Sequence, residues 1–245
     1  MPSTTGGNTT REGRLVSIEG LNGVGKTYLT TRIVEAANDH GQQPPLVIEG
    51  FSRRCDIETD LARRLLRILI TASDGERFLR AGFPRFETLC LLAIKMHDFE
   101  VALPALRAGH KVIEGRSIHS TAVYQSLIMN PDDDAAALDI AGRILDSASL
   151  WRPLPDLTIV ITDDIEAAVG RAEARDGVTY TAEQWSLHRR AAALFEHLAN
   201  ADPDYMRLLD RREHDADTLV ATIGTWIETV PARPFHGVVP AIGFP

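Results

Sequence analysis

An α/β fold built on a parallel sheet is the architecture this chain predicts, and three observations predict it. Short apolar runs suited to buried strands alternate with segments of helical periodicity along 245 residues, a pattern that implies right-handed crossovers between parallel strands. The first apolar run, Leu15-Val16-Ser17-Ile18, passes through a glycine-rich stretch, Gly20 to Thr27 (GLNGVGKT), into a helical segment. A hydrophobic content of 44% at this length suffices for one large core. With no internal repeat and no linker, residues 13–230 are expected to form one domain, after a disordered leader at 1–12 and before a proline-rich tail at 231–245.

The glycine stretch reads G-x-x-x-x-G-K-T in the strand, loop, helix order that a phosphate-binding P-loop requires. Glycines let consecutive backbone N–H groups turn inward around a polyphosphate, and the following helix N-terminus adds favourable partial charge. Asn22, Gly23, Val24, Gly25, Lys26, Thr27 and Tyr28 are therefore the expected cofactor-binding residues. Lys26 supplies a mobile charge for the outer phosphates, and the Thr27 hydroxyl suits Mg²⁺.

The remaining elements follow in order. Tyr28 to Ala36 reads as the first helix, and Pro45 to Glu49 as a short buried strand after the turn signals Gly41 and Pro44. Asp60 to Ile70 and Arg85 to Leu106 carry helical periodicity, with the polar stretch Thr71 to Glu76 between them. Lys111 to Glu114 is a third strand, introduced by Gly109; Ser120 to Met129 and Asp133 to Ser149 are helices. Leu157 to Ile161 is a fourth strand, Ile165 to Arg175 and Ala182 to Ala199 are helical, and Asp204 to Leu209 holds a weak fifth strand. Asp215 to Val230 closes with an amphipathic helix, which the prolines of the tail cannot continue. The whole is a P-loop NTPase fold: a five-stranded parallel sheet with helices on both faces and a helical lid.

Composition narrows the function. No run approaches the roughly 20 apolar residues of a membrane helix, and the small, polar stretch Met1 to Thr10 does not read as a signal peptide. Two cysteines, Cys55 and Cys90, lie far apart without metal spacing, which suits a reducing cytoplasm. A net charge of −8 argues against general nucleic-acid binding. Basic residues still cluster at Arg53-Arg54, Arg63-Arg64-Arg67, Arg189-Arg190 and Arg211-Arg212. These are solvated helix faces or the walls of an anion-binding cleft.

Ligands of parallel sheets bind beyond the carboxyl ends of the strands. Glu114 and Arg116, at the end of the third strand, should therefore share a crevice with the P-loop, Arg116 holding an anion through its bidentate fork. Glu49 ends the second strand and belongs there too, with Phe51 just beyond it. One of Glu49 and Glu114 could take the proton of an attacking hydroxyl and the other position Mg²⁺; Glu49 is assigned the proton and Glu114 the metal. Arg171 and Arg175, four apart, project from one helix face. They lead into Asp176 to Tyr180, a polar segment suited to a lid that neutralises a transferring phosphoryl group.

Together these residues resemble the thymidylate kinase family, over Arg14 to about Val230. Ile18-Glu19-Gly20 resembles the family's opening, and Arg116, Ser120, Tyr124 and Gln125 align without a gap on its D-R-Y/H-x-x-S-x-x-A-Y-Q segment. Pro155 to Thr158, then Glu166, Arg171 and Arg175, look like its fourth strand and lid helix. The resemblance implies ATP-dependent phosphoryl transfer to a nucleoside monophosphate with Mg²⁺, in a homodimer. It also shows departures. The family's D-R aspartate falls on Gly115, the strand-two arginine on Ile48 and the P-loop acid on Asn22. Aligned back from Pro104, the thymine-reading arginine falls on Ile94 and the stacking aromatic on Cys90, with Phe86 one turn earlier. On that alignment dTMP should be a poor substrate. Two alternatives stay open: a deoxynucleoside-kinase-like enzyme acting on a hydroxyl, and a P-loop regulator with no acceptor.

Overall fold

The computed structural model describes residues 13–48 and 60–233. The leader at 1–12, the tail from 234, and the candidate residues Glu49 and Phe51 lie outside the described residues. The elements run β1 (Arg14–Glu19), α1 (Lys26–Asp39), β2 (Leu46–Ile48), α2 (Leu61–Ala72), α3 (Pro84–Arg107), β3 (Lys111–Gly115) and α4 (Ile118–Met129). They continue α5 (Asp134–Ser149), β4 (Leu157–Thr162), α6 (Ile165–Asp176), α7 (Ala182–Ala201), β5 (Met206–Asp210) and α8 (Ala216–Thr229). All five strands join one parallel sheet in the order β2-β3-β1-β4-β5, so β1 is central and its P-loop emerges mid-sheet.

Helix starts are written locally. Asp60, Ser117, Asp133, Asp164 and Asp215 each accept a hydrogen bond from a first-turn N–H of the helix that follows, meeting donors that the helix itself leaves unpaired. Thr181 and Gln184 close a reciprocal capping box on α7.

Side-chain alternation divides the strands between two faces. Leu15 and Val112 pack with Phe99, Ala102 and Leu106 of α3. Val16 and Ile113 belong to the main core, which includes Leu29 and Ile33 of α1 and Ile223 and Ile227 of α8. A separate cluster joins Ala62, Leu66 and Leu69 of α2 to Cys90, Leu91 and Ile94 of α3. The sheet brings the P-loop, Arg116 after β3, Asp163 after β4 and Arg211 after β5 to the same carboxyl edge.

Candidate active site

The P-loop is shaped by backbone that only glycine takes easily. Gly23 and Gly25 have φ of 82° and 94°. A Cβ on Gly23 would sit 1.8 Å from the Ala168 carbonyl oxygen of α6, so the loop is wedged against the lid helix with no room for a side chain. Lys26 curls back over the loop, donating to the carbonyls of Gly20 (2.9 Å) and Leu21 (2.5 Å). Burial, together with the positive fields of Arg116 and Arg175, holds its pKa well below the ordinary lysine value despite the opposing pull of Glu19. Cations that face one another this way form a site short of negative charge. Thr27 and Tyr28 are exposed at the start of α1. The backbone N–H groups of a glycine-rich loop, an ammonium and a helix-start hydroxyl together suit a polyphosphate with a hard cation.

Basic residues surround the loop. Arg171 donates to the Gly23 carbonyl (2.9 Å) and pairs with Asp163. Arg211 donates to the Val24 carbonyl (3.1 Å) and lies 3.4 Å from the same Asp163. Of the four basic clusters in the sequence, this is the one that reaches the P-loop among the described residues; Arg63 pairs with Asp60 and Arg190 with Asp134. Arg175 is held by Asp176, as is Arg77 from the segment before α3. That segment is tied further to the start of α7 by Arg80 with Glu183. The expected lid stretch is thus fastened, with Tyr180 buried at its end.

On the acceptor side, Arg116 has a φ of 66°, rare for a side-chain-bearing residue; such strain is held by surrounding contacts and gathers at functional sites. Its guanidinium reaches Asn22 and Ser120, and lies 5.6 Å over the Tyr124 ring. Ser120 in turn donates to Glu19. Glu19 is fully buried and also accepts from Ser17 and from the backbone and hydroxyl of Ser117. Sequence reasoning gave this carboxylate no role, although an acid ending a buried strand was the signal. It braces the loop that carries Arg116. Gln125 is buried beside the Thr88 hydroxyl (3.2 Å).

Four expected site residues stand elsewhere. Glu114, assigned to Mg²⁺, shares a face of β3 with Val112 and is fully buried. Both its oxygens are engaged by Arg152 (2.9 and 3.3 Å), with Lys95 at 3.4 Å. Burial disfavours its charge, but the two cations more than offset this and lower its pKa. It has no open position for a metal. Cys90 and Ile94 face α2 rather than the cleft. They lie about 200° and 240° around α3 from Thr88 at roughly 100° per residue, so neither is placed to read or stack a base. Phe86, also about 200° from Thr88, is exposed beside Met129 and Ile140 in a groove between the start of α3 and the end of α4. The aromatic rings beside Tyr124 are instead Phe78, at 5.6 Å between ring centroids, and Phe195, at 6.3 Å.

Two histidines lie under the site and make its stability depend on pH. Burial lowers His119 and His188 to a pKa of about 4 each, against about 6.5 in the unfolded chain. The unfolded state then binds more protons between these values, so stability is full above about pH 6.5 and falls as the pH drops toward 4. At about 1.4 kcal/mol per unit and site, unfolding at pH 5 should cost roughly 3–4 kcal/mol less than at pH 7.5. Urea midpoints at the two pH values check this; equal midpoints would mean that the imidazoles are not buried neutral.

With this geometry described, comparison with known proteins gives one answer. Residues 18–218 match the family model described as "Thymidylate kinase". A thymidylate kinase of Dinoroseobacter shibae is 33% identical over 218 residues, covering 87% of this chain and 96% of that one. A thymidylate kinase of Geobacter sulfurreducens is 28% identical over 229 residues, covering 90% and 100%. In structure, a thymidylate kinase of Candida albicans superposes with a TM-score of 0.64 at 21% identity, over 89% of this chain and 92% of that one. The chain belongs to the thymidylate kinase family and is an ATP-dependent P-loop phosphotransferase acting on a nucleotide.

Proposed function

We propose that this enzyme transfers the γ-phosphoryl group of ATP to dTMP, with Mg²⁺ held by Thr27. The observation that carries this is the convergence of Lys26, Arg116, Arg171 and Arg175 on the P-loop, beside an acceptor wall of Tyr124 and Gln125. When bound, ATP with Mg²⁺ supplies the electrophilic phosphorus. Lys26 then turns from the loop carbonyls to the outer phosphates, Arg116 fixes the acceptor phosphate, and Arg171 and Arg175 balance charge from the lid. Glu49, outside the described residues, is the proposed residue that fixes the acceptor, whose phosphate attacks as a dianion with no proton to lose. With Cys90 and Ile94 turned to α2, the main ground for doubting dTMP falls away. The relatives' names favour a nucleotide acceptor over a nucleoside. No helix among the described residues is long and apolar enough to cross a membrane, and we place the enzyme in the cytoplasm. Exposed Leu61, Ile68 and Leu89 on α2 and α3 are the proposed homodimer contact.

The test is a coupled ADP-release assay with ATP, Mg²⁺ and a panel of nucleoside monophosphates. We expect kcat/KM for dTMP of about 10⁴ M⁻¹s⁻¹ or more, within the ordinary enzyme range, and none with chelator present. A strong preference for another nucleotide would overturn dTMP as acceptor. Failure with every nucleotide would overturn the acceptor reading altogether.

A further inference from the structure

His188, on α7, has no part in phosphate binding, and its environment is unusual for a core residue. It is fully buried among Tyr180, Phe78 and Tyr124, with ring centroids at 5.1, 5.4 and 6.5 Å. Its Nδ1 lies 3.0 Å from the Gln184 carbonyl oxygen. A carbonyl only accepts, so Nδ1 carries the proton and Nε2 presents a lone pair. That Nε2 is buried and has no hydrogen-bond partner among the described residues. Burial, with Arg116, Lys26 and Arg77 nearby, keeps the imidazole neutral.

An unpaired buried acceptor is costly, and a phenyl ring would fill the same aromatic surroundings without that cost. The lone pair faces a cage whose rings belong to the acceptor side: Tyr124 lies under Arg116, and the Tyr180 hydroxyl is 3.4 Å from Asn22. Phe78 and Tyr180 sit on two segments joined by the Arg77–Asp176 and Arg80–Glu183 pairs. These pairs close the cage over His188, so a ligand reaching Nε2 would have to enter along the seam that they span.

We infer that His188 is a specificity-determining residue: its Nε2 accepts a hydrogen bond from a donor of the acceptor nucleotide, a sugar hydroxyl or a base N–H. This rests on the nucleotide-acceptor reading above. A site that hydrogen-bonds a substrate group rejects analogues lacking it, because its own polar atom is then left unpaired.

The experiment compares His188→Phe and His188→Gln with the wild type, using dTMP, its 3′-deoxy analogue and its N3-methyl analogue. The Phe variant should raise the dTMP KM roughly tenfold, the loss expected for one polar contact, with the KM for ATP unchanged and thermal stability equal or higher. The Gln variant, whose amide oxygen reaches a similar point, should recover most of the loss. Whichever analogue lacks the contacted donor should bind the Phe variant and the wild type alike. A wild-type dTMP KM in the Phe variant, an equal rise in the ATP KM, or a penalty undiminished for both analogues would overturn the role. A wild type inactive on every nucleotide would overturn the acceptor reading instead, a different and recognisable result.

Discussion

Lys26→Ala is expected to lower kcat/KM by roughly a hundredfold or more while leaving the fold intact. The ammonium is the one mobile cation of the loop, and a charge that follows the transferring group into the transition state is worth on the order of 3 kcal/mol. The same ammonium is disfavoured by burial and by the neighbouring Arg116 and Arg175. Removing it relieves that repulsion, so the melting temperature should hold or rise. Loss of activity with unchanged or higher stability is therefore the signature. Steady-state kinetics and a thermal melt read both quantities, and wild-type turnover in the variant would refute the role of the loop.

Arg152→Met should give the largest loss of stability. Its guanidinium is almost wholly buried, grips both oxygens of Glu114, donates to the Lys95 carbonyl (2.8 Å) and lies over the Phe99 ring. Methionine fills part of the volume but strands a buried carboxylate with only Lys95 to compensate it. Breaking one side of a buried pair costs about 3–5 kcal/mol, which for a chain of this size lowers the melting temperature by roughly 10 °C. Lys95 retains Asp98 at 3.2 Å, so the double change Arg152→Met with Glu114→Leu should recover much of the loss. A single variant that melts within about 2 °C of the wild type would mean that the cluster contributes little.

The sequence by itself determined the order of strands and helices, the parallel sheet and the P-loop, because each is written in local chemistry. Apolar runs, the glycines of the loop and the Ser, Thr or Asp before six of the eight described helices carry their meaning over a few residues. Arg116 was placed by its position just past a strand end, whereas Ser120, Tyr124 and Gln125 came from the family resemblance rather than from local pattern. Which way α3 presents its side chains was not legible. Counting back from Pro104 put Ile94 and Cys90 in the cleft, whereas the folded helix turns them to α2 and gives Thr88 to Gln125. One residue of register rotates a helix by about 100°, and only packing against α2 and the sheet settles that angle. The two strand-end glutamates show the same limit. Glu19 and Glu114 look alike in sequence, yet one braces the Arg116 loop and the other is neutralised by Arg152, 38 residues away. Tertiary structure decides such roles because charge pairing in a buried site depends on which distant cation the fold brings within a few ångströms, and no local pattern encodes that distance.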